Sequence, residues 1–146
     1  MSVRFLTEID RTDWDRLYQG YADFYSVPTS DQHRDTVWSW LMKDDHVENG
    51  LVWIDSDSQA QGLVHFRLFP RPINGTNGIY LDDLFVHPDL RGQGIARELI
   101  SALQVQARIL DASVIRWITH RDNAIARGLY DIVARETLWT TYDMDV

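Results

Sequence analysis

Residues 87 to 100 read HPDLRGQGIARELI. A His-Pro pair stops the apolar run before it. Arg91 follows, and then Gly92 and Gly94 open a repeat with helical spacing: Ile95, Leu99, Leu103, Ala107 and Leu110. Glycine inside a helix costs about 1 kcal/mol relative to alanine, so two of them at the mouth of the best helix need a reason. A helix that starts straight after a strand leaves its first backbone N–H groups unpaired, at the positive end of its dipole. Such a start suits an anion, phosphate above all. Without a Cβ, glycine lets the ligand touch the main chain, and Arg91 adds a charged fork beside it. Arg91-Gly92-Gln93-Gly94-Ile95-Ala96 therefore reads as a pyrophosphate cradle. The plain alternative is a tight turn with a helix cap; Arg91 and the small Ala96 favour a ligand.

Two familiar cradles do not fit. A P-loop needs a Gly-Lys pair, and the chain has none. A dinucleotide-binding GxGxxG needs a small residue where Arg97 stands.

Working outward, Ile79 to Val86 is the strand that feeds the cradle. Upstream, Arg4 to Leu6 is a short strand. Trp14, Leu17, Tyr18, Tyr21 and Phe24 or Tyr25 mark a helix that ends before Pro28, and Val37, Trp38, Trp40 and Leu41 mark a second, capped by Ser30 or Asp31. Leu51 to Ile54 and Leu63 to Phe69 are strands joined by a hairpin connection over 55–62, with Pro70, Pro72 and Gly75 breaking the second. Downstream, Val114 to Thr119 is β-rich, Asn123 opens a helix through Val133, and Thr137 to Asp143 alternates weakly as a last strand. The predicted architecture is one α/β (α+β) domain over residues 1–146. It has about four helices and a mixed, mostly antiparallel sheet of six to seven strands.

The bulk composition sets limits. Apolar residues make up 45%, enough for one core in 146 residues. Acidic residues outnumber basic ones by 22 to 14, which argues against a nucleic-acid partner and fits a cationic one. There is no cysteine, so disulfides, thiolate metal sites and a cysteine nucleophile are excluded. The start, MSVRFLTEID, lacks the apolar stretch of a signal peptide, and no run approaches a membrane span. A cytosolic location is the default expectation. The five histidines show no metal-ligand spacing and read as surface or satisfied polar groups, so no metal is expected.

The loop and its strand, Leu84-Phe85-Val86-His87-Pro88-Asp89-Leu90 followed by Arg91 to Ala96, resemble the acetyl-CoA site of GCN5-related N-acetyltransferases. A second family motif is present in Asn123, Ala126 and Leu129-Tyr130. The resemblance covers about residues 79 to 134; the first 75 residues match only the order of elements. Two features depart from the pattern or stand outside it. Ala134 occupies a position where the family often has glycine, and Gly128 lies inside the last helix, where close packing against the cofactor or a strand would account for it.

The resemblance implies a sheet splayed between two central strands, with acetyl-CoA entering the gap. The backbone of Leu84, Phe85 and Val86 would pair with the pantetheine arm. Arg91, Gly92, Gln93, Gly94, Ile95 and Ala96 would hold the pyrophosphate. Asn123 and Ala126 would lie by the cofactor, and Tyr130 near the sulfur. Tyr21, Tyr25 and Trp38, on helices that flank the acceptor in this family, would form its pocket. A homodimer through the C-terminal strand is also implied.

Acyl transfer to an amine at neutral pH first needs a proton removed, which costs about 4–5 kcal/mol from an alkylammonium of pKa near 10.4. A carboxylate at the cleft can accept it. Tyr80-Leu81-Asp82-Asp83 resembles the Y-L-E-D of diamine and polyamine acetyltransferases, in which the first acid is the base. Asp82 is the first choice and Asp83 the second, since neighbours on a strand face opposite ways. Tyr130 would return a proton to the thiolate. With no cysteine, direct attack in a ternary complex is the expected route. The acceptor is expected to be a small polyamine-like or amino-acid-like amine. A protein lysine or N-terminus, and a non-catalytic acyl-CoA sensor, are the alternatives.

Overall fold

A strand buried on both faces has no polar side to alternate with, and Leu51-Val52-Trp53-Ile54 is such a run, every residue of it buried. The computed structural model describes residues 1–146. Its strands are β1 (Ser2–Phe5), β2 (Asn49–Ile54), β3 (Ala60–Arg71), β4 (Thr76–Val86) and β5 (Ala112–Arg116). Its helices are α1 (Arg11–Phe24), α2 (Asp31–Met42), α3 (Ile95–Ile109) and α4 (Ala124–Val133). The sheet runs β1-β2-β3-β4-β5, antiparallel up to β4 and parallel between β4 and β5.

Each face of the sheet carries its own core. Leu51, Trp53, Val64, Phe66, Ile79 and Leu81 pack against Ile95, Leu99, Ile100 and Leu103 of α3. On the other face, Val52, Ile54, Leu63 and Phe85 pack against Trp14 and Leu17 of α1 and Val37 of α2. Gly20 lets α1 lie flat on this face, because a Cβ there would meet the Phe85 ring at 2.9 Å. Ser30 caps α2 as expected, its hydroxyl accepting from the His33 N–H at 3.1 Å.

β4 carries a bulge. His65 pairs with Asp83, but the next residue, Phe66, pairs with Leu81, so Asp82 is the extra residue. The bulge reverses the parity of the strand. Ile79 and Leu81 face α3, whereas Phe85 faces α1. Pairing of β4 with β5 ends at Tyr80 and Arg116, so residues 81–86 have β3 on one side and open space on the other. This is the splay expected between the two central strands.

Four sequence-based expectations are corrected. The sheet has five strands, not six or seven: residues 134–146 form no ladder, and the alternation at Thr137 to Asp143 pairs with neither free edge of the sheet. β3 runs through Pro70 to Arg71, since β2 ends opposite Phe66 and this half of β3 has only β4 to bond. The β-rich stretch after 112 stops at Arg116 and not at Thr119. Gly128 has open space where its Cβ would be, so packing against a strand does not explain it, which leaves the cofactor of the two packing partners expected.

Candidate active site

The loop after β4 has the shape its glycines imply. Gly92 and Gly94 have φ of +78° and +86°, a region that side chains rarely adopt. A Cβ at either would meet nothing within 4 Å, so the space beside both is open. Gly94 is the N-cap of α3, and no side chain caps this 15-residue helix. Its first N–H groups therefore face that space unpaired. Gln93 lies exposed on the loop, while Ile95 is buried in the core and Ala96 packs beside it. Such an uncapped helix start with open space before it suits an anion.

Arg91 does not project into the cradle as a free fork. Its Nε donates to the Val86 carbonyl at 3.1 Å, and its guanidinium lies 5.3 Å from the Phe24 ring and 5.2 Å from that of Phe85. It ties the loop to the strand end and to α1. Leu84, Phe85 and Val86 pair with β3 on one side and lie beyond the last β5 partner on the other.

On the far side of the gap, Asn123 is the N-cap of α4, and its amide donates to Thr119 Oγ1 at 3.3 Å. Ala126 is half-buried on the same helix. Tyr130 is half-buried, edge-on to Trp117 with centroids 5.2 Å apart. Burial, then the proximity of Tyr25, pushes its phenol up to about 12. That is less balanced against a thiol than the two reference values imply, and it keeps Tyr130 a proton donor across the neutral range.

At the bulge both aspartates lie on the α1 face, contrary to the rule for a regular strand. Asp82 accepts from Arg67 Nε at 3.0 and 3.3 Å, and Arg67 lies 4.7 Å over the Tyr80 ring. Asp83 is 2.8 Å from His65 Nδ1 and accepts from the Tyr21 hydroxyl. His65 in turn accepts at Nε2 from the Trp14 indole N–H at 2.9 Å. With Nε2 used as an acceptor, the ring N–H is on Nδ1 and donates to Asp83. Burial raises Asp83, but the hydrogen bonds from His65 and Tyr21 outweigh it and hold the carboxyl below its usual range.

A cleft of about 330 Å³ opens beside this cluster, lined by Tyr18, Tyr21, Ala22, Tyr25, Val27, Thr29 and His33. Two of the three predicted acceptor residues, Tyr21 and Tyr25, are there. Trp38 is not: its ring lies 5.1 Å from that of Trp14, with Arg11 over it, and it buttresses α1. Burial, then Asp83, pushes Tyr18 up to about 12, and burial raises Tyr21 further.

Sequence reasoning missed Tyr18, His33, His65, Trp14 and Glu48. Tyr18 shares the helical stripe of Tyr21 and was legible only as a core residue. His65 was taken as a satisfied polar group, which it is, but its partner is the site carboxylate. Glu48 lies outside any motif, and only the fold carries it to Asp82.

The model of the acetyltransferase (GNAT) family matches residues 14–132. The D-amino-acid N-acetyltransferase HPA3 of Saccharomyces cerevisiae is 24% identical over 136 residues, 92% of this chain and 84% of its own. Among solved structures, the ribosomal-protein-alanine N-acetyltransferase from Brucella melitensis biovar Abortus 2308 is 26% identical, with a TM-score of 0.81 and 100% of both chains covered. AAC(6')-Iy, solved with the bisubstrate analog CoA-S-monomethyl-acetylneamine, is 17% identical, with a TM-score of 0.86 over 99% of this chain and 97% of that one, a likeness of fold. With the cradle, the splayed strands and the family match in agreement, the chain belongs to the acetyltransferase (GNAT) family and is an acetyl-CoA-dependent N-acetyltransferase.

Proposed function

We propose that the protein transfers the acetyl group of acetyl-CoA to a small primary amine, polyamine-like or amino-acid-like, by direct attack within a ternary complex. The observation that carries this reading is the pair of bulge aspartates beside a tyrosine-lined cleft, with Asp83 next to Tyr21. An ammonium entering there meets carboxylates and aromatic faces, both of which favour a cation. The yeast relative, a D-amino-acid N-acetyltransferase, supports the amino-acid-like option.

Acetyl-CoA supplies the acyl group as an activated thioester. The main chain of Gly92 to Ala96 holds the diphosphate, and the open edge of Leu84 to Val86 aligns the pantetheine arm. Asn123 and Ala126 line the opposite wall. A backbone N–H at Phe85 or Val86 polarises the carbonyl. A carboxyl group of the cluster around Asp82 and Asp83 takes the acceptor's proton, and Tyr130 gives one to the departing sulfur. Tyr21 and Tyr25 flank the amine.

The printed name of the Brucella relative favours a second reading, in which the acceptor is the amino terminus of a protein. Thiol release from acetyl-CoA, measured with a panel of diamines, amino acids and alanine-terminated peptides, separates the two. Turnover on peptides alone would replace the small-amine reading.

The same proposal extends to a homodimer. β5 has a free edge beside an apolar groove of about 300 Å³ that includes Ile100, Ala107, Trp117 and Val133. Leu138, Tyr142, Met144 and Val146 alternate along an exposed C-terminal segment suited to such an edge in a second copy. Light scattering on the full chain and on a truncation after Glu136 tests it; a full chain that is monomeric would exclude it. The cytosol is the compartment this reading implies.

A further inference from the structure

Glu48 immediately precedes β2, and the fold brings it beside Asp82. Its Oε1 is screened from water and has no hydrogen-bond partner. The rest of its carboxyl faces Asp82 at hydrogen-bonding range. The other carboxyls of the cluster are engaged. Both oxygens of Asp82 lie on Arg67 Nε, and Asp83 accepts from His65 and Tyr21. Glu48 Oε1 is the oxygen of this cluster that is both buried and without a partner.

We propose that Glu48 is the group that takes the proton from the acceptor ammonium, while Asp82 and Asp83 remain anionic and hold its charge. This rests on the acetyltransferase reading and names the base within it. Two carboxyls at hydrogen-bonding range cannot both ionise cheaply, so the Glu48–Asp82 pair keeps one proton near neutrality. Both Asp82 oxygens are taken up by Arg67 Nε, which leaves Glu48 as the place for the shared proton. Burial, then Asp82 and Asp83, push Glu48 up to about 8, with Arg67 pulling the other way; Tyr18 of α1 is the remaining titratable group facing it.

An arriving ammonium brings a positive charge that releases the Glu48 proton to solvent. The carboxylate then takes one N–H proton from the acceptor. The freed lone pair forms the C–N bond, and the C–S bond breaks. The thiolate takes the phenolic proton of Tyr130, which is restored through water by the second proton that nitrogen loses as it becomes an amide. Glu48 keeps the proton it took, which restores its resting state, so the one proton released as the ammonium arrives is the net release per turnover.

The test is the pH dependence of kcat/KM across the neutral-to-alkaline range, with putrescine and a D-amino acid as acceptors. The wild type should rise with pH and level off near 8. Glu48→Gln should lose that limb and fall in kcat/KM by about 10²-fold or more, with acetyl-CoA affinity by calorimetry unchanged. Asp82→Asn removes the repelling charge, so its limb should move to lower pH, whatever the rise in KM from one fewer carboxylate facing the ammonium. A Glu48→Gln enzyme with the wild-type limb, or an Asp82→Asn enzyme without one, would overturn the proposal. Carboxyl carbon NMR gives a readout that needs no acceptor: Glu48 should titrate apart from the other glutamates and move down in Asp82→Asn. Glu48 titrating with the ordinary glutamates would overturn the proposal even if neither amine proves to be an acceptor. Failure of both amines with a Glu48 titration near 8 would instead count against the small-amine reading alone.

Discussion

His65 and Asp83 are register partners on β3 and β4, and their side chains are 2.8 Å apart with the His65 ring 1% exposed. The bulge begins at the next residue. The Trp14 N–H behind the ring sets its tautomer, so a fully buried tryptophan on α1 and a cleft carboxylate on β4 are joined through one imidazole.

His65→Phe keeps the ring volume but removes both bonds. Trp14 loses its acceptor and Asp83 a donor. The expected loss is about 1–3 kcal/mol for each group left without a partner, read as a lower denaturant midpoint with an unchanged slope. An unchanged midpoint would mean that the ring serves packing alone.

The two acidic groups with shifted values predict opposite pH limbs of stability. Asp83 stands below its ordinary value, so its contribution is complete above about 3.8 and is lost as pH falls through the depressed folded value. Glu48 stands above its ordinary value, so its contribution is complete below about 4.5 and is lost as pH rises through about 8. The wild-type melting temperature should therefore decline on both sides. Glu48→Gln should flatten the alkaline side and Asp83→Asn the acidic one. Identical profiles for the wild type and the two variants would contradict the assignment.

Gly94→Val separates fold from ligand. No protein atom lies within 4 Å of the added Cβ, so the variant costs only the backbone strain of φ +86°, about 1–2 kcal/mol. The added side chain fills the cradle, and the Kd for acetyl-CoA should rise at least about tenfold, or about 1.4 kcal/mol. Calorimetry with an unaltered Kd would remove the diphosphate from this loop.

Tyr130→Phe retains the contact with Trp117 and loses the hydroxyl. Turnover should drop by about 10²-fold or more, while acetyl-CoA affinity holds. A large loss of affinity with kcat preserved would make Tyr130 a binding residue instead of an acid.

The second half of the molecule was legible because its motif residues act through local backbone. Gly92 and Gly94 need positive φ whatever surrounds them, and the strand before them is continuous in sequence. The bulge was not legible. It depends on how β4 registers against β3, and Asp82-Asp83 in isolation obeys simple alternation. Glu48 was hidden for a related reason, since only the packing of β2 beside β3 and β4 carries it to Asp82. The missing sixth strand shows the converse. Alternation at Thr137 to Asp143 records a preference for pairing, and a preference alone does not seat the segment on the free β5 edge of its own chain.

The most direct measurement is thiol release from acetyl-CoA by the purified protein with small primary amines, read beside mass analysis of the amine. The account predicts release that depends on the amine, with the acetyl group recovered on its nitrogen. Acetyl-CoA that binds the protein but is never consumed with any small amine would contradict it.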